Sequence, residues 1–240
     1  MYLQPTNTYL QRKKYNMSIL DRFVSLYAPF CCIDCGAEDN RLLCGTCTDS
    51  LPKVPPCCYR CRTRTLQYDV CRSCRRQTPL RRVAAVVRYE ASAKTLLWHA
   101  KYERARRGLM EIAVLMRPQL VYFGTEVLLV PVPTATTRVR ERGYDQAVVL
   151  ARELSRLSGR TSACPLVRLG QAHQVGASRA ARLRHLDGAF RVRYSDKIKG
   201  AHIVLIDDVC TTGATLESAA RALREAGAKQ VDALVFAQPS

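Results

Sequence analysis

No run of about 18 apolar residues occurs in this 240-residue chain, so no membrane-spanning helix is expected. Residues 1–16 are polar and basic and lack the apolar stretch of a secretory signal. These two absences predict a cytoplasmic protein with a flexible tail over residues 1–18. A helical pattern starts near Met17 (Ile19, Leu20, Phe23, Val24, Tyr27), so Met17 competes with Met1 as the true start. Acidic residues are scarce: 20 Asp and Glu face 38 Lys and Arg, a net charge of +18. Aliphatic residues are scarce between residues 31 and 79, where Leu42, Leu43 and Leu51 stand among several prolines. Such a segment cannot bury a sufficient core by itself, and something other than apolar burial must hold it together.

What that segment has instead is cysteine. Twelve cysteines without a signal sequence argue against a disulfide framework. Ten lie between Cys31 and Cys74, and eight form Cys-x-x-Cys pairs: Cys32/Cys35, Cys44/Cys47, Cys58/Cys61 and Cys71/Cys74. One such turn brings two thiolates to a tetrahedral ion, and two turns complete a four-cysteine zinc site. Four pairs therefore imply two structural Zn2+ ions. Sequential pairing, first with second and third with fourth, is favoured because it closes the shorter loops, while a cross-brace of first with third and second with fourth stays open. Cys31 and Cys57 each precede a pair, so the ligand register is open by one. Residues 19–79 read as a zinc-binding module, joined through Gln77-Thr78-Pro79-Leu80 to a second domain over 80–240. Such a module serves equally as a nucleic-acid contact or as a clip against its neighbour.

From Val83 the pattern turns to strand–helix alternation. Strands are expected at 83–89, 126–130, 166–169, 202–206 and 231–236, and helices at 93–101, 109–116 and from Gln146 to Gly159. This is the α/β class: a mostly parallel sheet with helices on both faces and ligands beyond the carboxyl ends of its strands.

One such end carries the most informative stretch, Val204-Leu205-Ile206-Asp207-Asp208-Val209-Cys210-Thr211-Thr212-Gly213-Ala214-Thr215-Leu216. Apolar residues at 216, 219, 220, 223 and 226 continue it as a helix, with Gly227 suited to the C-terminal cap. A strand feeding a small-residue loop and a helix N-terminus presents free backbone N–H groups to a phosphate. A nucleotide-hydrolysing P-loop would place a lysine here, and there is none. Two carboxylates would repel a bare phosphate, but they suit a sugar's vicinal hydroxyls bridged to Mg2+. The stretch resembles the PRPP-binding signature of type I phosphoribosyltransferases. By that resemblance Asp207 and Asp208 are the catalytic and ribose-binding carboxylates, and Val209, Cys210, Thr211, Thr212, Gly213, Ala214 and Thr215 form the 5-phosphate loop.

A second strand end, Pro131-Val132-Pro133-Thr134, leads through Arg138, Arg140, Arg142 and Gly143 into Tyr144-Asp145-Gln146. Arginine suits a phosphate through its planar donor fork. The four cysteine pairs, this helix start, the segment Gln174…Arg182…Gly188-Ala189-Phe190 and the signature loop occur in the order of the ComF family of competence-associated phosphoribosyltransferase-like proteins. The resemblance spans roughly residues 19–237. It implies a type I phosphoribosyltransferase-like sheet with an N-terminal zinc-knuckle module. Val132, Pro133, Thr134, Arg138 and Arg142 then belong to the pyrophosphate loop, residues 172–187 to a mobile flap, and Mg2+ accompanies PRPP. Tyr144-Asp145 and His185 depart from the family's usual Phe-Asn and Asn, and Asp145 sets a negative charge by the pyrophosphate loop.

Two zinc–tetrathiolate sites would reduce +18 to about +14, still more than one sugar phosphate requires. The excess points to nucleic acid through Arg60/Arg62/Arg64, Arg72/Arg75/Arg76 and Arg104/Arg106/Arg107, with Tyr59, Tyr68 and Tyr102 as stacking faces. Two functions follow. One is a Mg2+-dependent phosphoribosyltransferase acting on an unknown acceptor. The other is a zinc-bearing, single-stranded DNA-binding factor for DNA uptake, working with uptake-machinery proteins, in which the PRPP site is a sensor or relic.

Overall fold

The computed structural model describes residues 31–102, 105–169, 188–193 and 196–239. The N-terminal tail, the helical pattern at 17–27, Arg104, the 172–187 flap and His185 lie outside the described residues.

Four strands form one parallel sheet: β1 (Val83–Arg88), β2 (Leu128–Pro131), β5 (His202–Val209) and β6 (Gln230–Gln238), in the order β1-β6-β5-β2. The two central strands are apolar on both faces, and Ile203–Ile206 and Ala233–Ala237 are fully buried. Strand β5 runs three residues beyond its apolar segment. Its ladder with β6 continues through Asp207 beside Val235 and Val209 beside Ala237. Backbone pairing, indifferent to side-chain polarity, thereby fixes the carboxylate pair on the rigid sheet.

Helices α2 (Ala91–Lys101), α3 (Ala105–Met116), α5 (Gln146–Ser158) and α6 (Ala214–Glu225) complete the layers. Helix α5 packs on β5, β2 and α3, while α6 packs on β6 and on a short strand β4 (Phe190–Val192). Helix α6 ends in a Schellman motif: Ala228 N–H reaches Leu223 O at 3.0 Å and Gly227 N–H reaches Arg224 O at 3.0 Å, with Gly227 at φ +95°.

Two expectations are corrected. The strand at 166–169 is β3 (Leu166–Arg168), which pairs antiparallel with β4 (Phe190–Val192) in a separate two-stranded sheet. Only Leu166 of its three residues is buried, whereas a parallel strand is covered on both faces. The basic stretch after β2 is not all loop. It holds α4 (Thr136–Arg142), closed by Gly143 at φ +78°. That helix buries no side chain, so it leaves no apolar periodicity in the sequence.

The cysteine segment, which holds the short α-helix α1 (Gly45–Asp49) and a 3-10 turn at Arg75–Gln77, shares a continuous core with the sheet. Pro52–Val54 run alongside β1, with Val54 N–H donating to Val86 O at 3.1 Å and Arg88 N–H to Pro52 O at 2.7 Å. Further along, Val83 N–H donates to Tyr68 O at 3.2 Å. The Leu42 and Leu43 N–H groups donate to the Glu111 carboxylate at 2.6 and 3.3 Å, tying the first two cysteine pairs to α3. Leu42, Leu43, Leu51, Val54 and Val70 are buried in the core shared with the α/β layers rather than in a core of their own, while Leu66 is exposed.

Helices α2 and α3 touch at Gly108, where an added Cβ would lie 2.8 Å from the Ala100 Cα. A backbone atom cannot swing aside as a side chain can. Gly108→Ala should lower stability by about 1–3 kcal/mol, read as a lower urea midpoint. An unchanged midpoint would show that the two helices slide apart without cost.

Candidate functional site

The cysteines resolve into two groups. The Sγ atoms of Cys32, Cys35, Cys44 and Cys47 lie within 4.8 Å of one another, as do those of Cys58, Cys61, Cys71 and Cys74. Pairing is sequential, and the cross-brace alternative is excluded. Cys31 and Cys57 stand outside both groups, their backbones engaged in bridges to Glu38 and Arg64. Cys44 N–H donates to Cys32 Sγ at 3.4 Å and Cys47 N–H to Cys44 Sγ at 3.5 Å. The Cys35–Cys44 and Cys61–Cys71 sulfurs are 3.6 and 3.5 Å apart. A tetrahedron with Zn–S bonds of about 2.3 Å has an edge of about 3.8 Å. Each tetrad can hold one zinc ion.

At the carboxyl end of the sheet, β5 delivers Asp207 and Asp208. Asp207 accepts the Asp208 N–H at 2.8 Å, and Asp208 forms an ion pair with Lys101 Nζ at 2.9 Å. Burial, and next the neighbouring Asp208 charge, push the Asp207 carboxyl well above the ordinary range. The chain then turns. Cys210 N–H donates to Ala237 O at 2.9 Å, and burial pushes its thiol up to about 12, leaving it inert. Thr211 and Thr212 are exposed, while Val209, Ala214 and Thr215 are half-buried. Thr212 Oγ1 accepts the Ala214 N–H at a long 3.4 Å. Gly213 is the N-cap of α6 at φ +81° and supplies no capping side chain. The loop therefore presents backbone donors at the positive end of a helix of three turns.

The third cysteine pair is pressed onto this loop. A Cβ at residue 213 would come within 2.4 Å of the Tyr59 ring, so glycine is required by space as well as by φ. The Tyr59 hydroxyl donates to Glu217 Oε1 at 2.5 Å, and Arg60 Nη1 reaches the same oxygen at 2.7 Å. Glu217 is 7% exposed in the first turn of α6. Gln238 Nε2 donates to Tyr59 O at 3.3 Å, and Arg62 Nη2 to Pro239 O at 2.8 Å. Of the two roles open to the module, the clip is what these contacts form. The stacking assignment is corrected in consequence: Tyr59 and Tyr68 are each 3% exposed and cannot receive a base. Arg60 is likewise committed to Glu217, and only Tyr102 of the three rings is open.

Beyond β2, Val132 N–H donates to Ile206 O at 3.0 Å, which carries the next loop alongside the carboxylate strand. Pro133 and Thr134 follow. Thr134 donates to Asp145 through its N–H at 2.9 Å and its hydroxyl at 3.0 Å. Asp145 also caps α5 by accepting the Ala147 N–H at 3.0 Å. The Asp145 charge is thus used to brace this loop. Arg138 is exposed on α4, and Arg142 donates to Gln146 Oε1 at 2.8 Å.

Two residues that sequence reasoning missed complete the site. Lys101 ends α2, where it read as an ordinary polar residue of an amphipathic helix. Arg168 of β3 points Nη1 at Pro133 O, 3.5 Å away, and lies 5.5 Å over the Phe190 ring. Burial draws its pKa down, Arg138 adds to that effect, and Asp207 opposes it.

The phosphoribosyl transferase domain family matches residues 126–240, the stretch from the approach to β2 through β6. Over 204 residues the chain is 33% identical to Competence protein ComFC of Bacillus subtilis (strain 168), spanning 79% of this chain and 81% of that one. The chain belongs to the ComF family. It is also similar to Competence protein F of Haemophilus influenzae, at 27% identity over 84% of this chain and 94% of that protein. Against the DNA utilization protein YhgH of Escherichia coli O6:H1 it is 28% identical, over 79% of this chain and 87% of that one. In this ComF chain a phosphoribosyltransferase-type parallel sheet thus carries an N-terminal module with two zinc-competent cysteine tetrads.

Native mass spectrometry of protein purified without chelator should show two zinc ions. Replacing Cys58 and Cys61 with serine should remove one ion and lower the melting temperature. One zinc in the parent protein, or none with disulfides present, would overturn the two-site assignment.

Proposed function

We propose that this ComF protein binds PRPP with Mg2+ and transfers its phosphoribosyl group to an acceptor with release of pyrophosphate. One observation carries the reading: a carboxylate pair on the last residues of a central parallel strand runs directly into a glycine-capped helix start. The loop Val209–Thr215 holds the 5-phosphate through backbone N–H groups and the Thr211, Thr212 and Thr215 hydroxyls. Asp207 and Asp208 accept the ribose hydroxyls. Val132, Pro133 and Thr134, with Arg138 and Arg142, receive the pyrophosphate. The desolvated carboxylate pair and the phosphates of PRPP form a donor set of hard oxygens that suits Mg2+. When bound there, Mg2+ supplies charge neutralisation to the departing pyrophosphate. Lys101 holds the Asp208 charge in the free protein and gives way as hydroxyl donors arrive. The transition state is oxocarbenium-like, so the protein acts by positioning and electrostatics rather than through a nucleophile. Zinc in both tetrads keeps the clip seated on the phosphate loop.

Calorimetry with PRPP and Mg2+ should show binding that Asp207→Asn combined with Asp208→Asn weakens by tenfold or much more, at about 1.5–3 kcal/mol per charged hydrogen bond lost. No binding of PRPP to the parent protein would sink the enzyme reading. Binding without pyrophosphate release over a range of nucleobases and amines would make the site a sensor.

A second reading is favoured by the far side of the second tetrad. Arg72 and Arg76 are exposed there around a hollow of about 630 Å³ that also involves Thr63, Cys71 and Ser73. We propose that single-stranded DNA binds this face in the cytoplasm, in line with the competence and DNA-utilization names of the relatives, and that uptake-machinery proteins deliver it. Arg75 contributes less, because its guanidinium donates to Leu80 O at 2.6 Å. If about six phosphates are neutralised, log K should fall with log salt at a slope near −4. Replacing Arg72 and Arg76 with alanine should flatten the slope by about 1.4 and leave PRPP binding intact. An unchanged slope would return this charge to a merely solvated face.

A further inference from the structure

The end of α2 leaves two aromatic rings open beside the carboxylate pair. Trp98 is 48% exposed and Tyr102 61% exposed, the two aromatic members of the exposed large hydrophobics among the described residues. Their ring centroids are 5.9 Å apart, tilted by 47°, and the Arg142 guanidinium stands 5.4 Å over the Tyr102 ring. Together with Lys101, Arg138 and Glu141 they line a cavity of about 370 Å³. That volume lies at the small-ligand end of binding-site sizes, too small for a macromolecular partner to enter bodily.

The lining combines π faces with an excess of positive charge. Lys101, Arg138 and Arg142 outnumber Glu141. The aromatic faces suit a flat ring, and the cations suit a negative group on that ring's edge. Position supplies the third element. Lys101 both lines the cavity and reaches Asp208 at 2.9 Å, so anything lodged here lies one side chain away from the carboxylate pair.

We infer that this cavity is the acceptor subsite, and that the acceptor is a small planar heteroaromatic anion. The inference rests on the phosphoribosyl reading and gives it a substrate class. A lone pair on a nitrogen of the acceptor forms the bond to C1 of the phosphoribosyl group. The bond from C1 to the pyrophosphate oxygen breaks and its electron pair leaves on pyrophosphate; a ring N–H nitrogen gives its proton to water, while a pyridine-type nitrogen has none to lose and becomes the cationic ring nitrogen. Trp98 and Tyr102 position the ring; Arg138 and Arg142, which also border the pyrophosphate subsite proposed above, select its charge from the cavity side.

Trp98 is the sole tryptophan of the chain, so its emission reports on this cavity alone. Zinc-loaded full-length protein is titrated with two anionic rings, orotate and nicotinate, and with their neutral counterparts, uracil and nicotinamide. Saturable quenching is expected for at least one anion, at about tenfold higher affinity than for its neutral partner, the difference that one charge-assisted hydrogen bond makes. Arg138→Ala should abolish that preference, and Tyr102→Ala should weaken both members of the pair. Both side chains are exposed, so neither variant threatens the fold. Quenching by no ring, equal affinity for charged and neutral rings, or quenching by oligonucleotides only would overturn the inference. PRPP calorimetry on the same samples keeps the two readings apart. PRPP binding without ring binding leaves the phosphoribosyl site standing and removes this subsite. Ring binding without PRPP binding upholds the ring site and overturns its role as acceptor.

Discussion

The contact between the Tyr59 ring and the bare Cα of Gly213 is the constraint on which the candidate site depends. It joins two parts of the chain that sequence keeps far apart: a knuckle between two cysteines of the second tetrad, and the turn that starts α6. Around it a phenol and a guanidinium converge on one oxygen of the buried Glu217 carboxylate. Such a cluster contributes little net stability, since desolvating the charges offsets most of their attraction. Losing Arg60 is costly, because the Glu217 carboxylate stays buried without its cation. The arrangement holds a geometry more than it adds stability, and the geometry is that of the first turn of α6.

The same economy governs the electrostatics. In a strongly basic protein the carboxyl ends of the parallel strands collect negative charge, Asp207 and Asp208 together, with Lys101, Arg138 and Arg168 arranged around them. Asp207 is disfavoured as an anion in the free protein, and Asp208 is neutralised by a lysine borrowed from α2. A ligand that brings hydroxyl protons and metal-borne positive charge relieves both conditions. A bare anion relieves neither. On the function we propose, the site would distinguish a phosphosugar from a phosphate before any shape complementarity acts.

What was legible in the sequence was local. The Asp-Asp and Thr-Thr-Gly-Ala-Thr run is contiguous, and its strand–loop–helix context follows from residues on either side of it. The cysteine spacing showed four turns that could bind metal. It did not show which turns meet, because loop length constrains that choice without deciding it. Helix α4 left no trace because it buries nothing, and β3 was assigned to the wrong sheet because a three-residue strand carries no partner information. Tyr59 and Tyr68 looked like stacking platforms amid arginines, yet both are interior, since the cysteine module has no core of its own and buries its aromatics against its neighbour. Lys101 and Arg168 reach the carboxylates and the adjoining loop only through tertiary packing, and nothing near either residue in the sequence marks them.

The segment Pro52–Val54 has a bearing on how this chain fails. A four-stranded open sheet has two edges, and edges of unpaired N–H and C=O groups template further strands from other molecules. At β2 the edge is occupied by Ser162 and its neighbours, with Leu129 N–H donating to Thr161 O at 2.9 Å. At β1 the same duty falls to a segment lying between the two tetrads, in a part of the chain with little apolar content to hold it there. Detachment of that segment would uncover β1, a strand of consecutive alanines and valines. The zinc-competent module is then also a solubility device: the state it guards against is less an open chain than a folded one with a free edge, able to recruit its own kind.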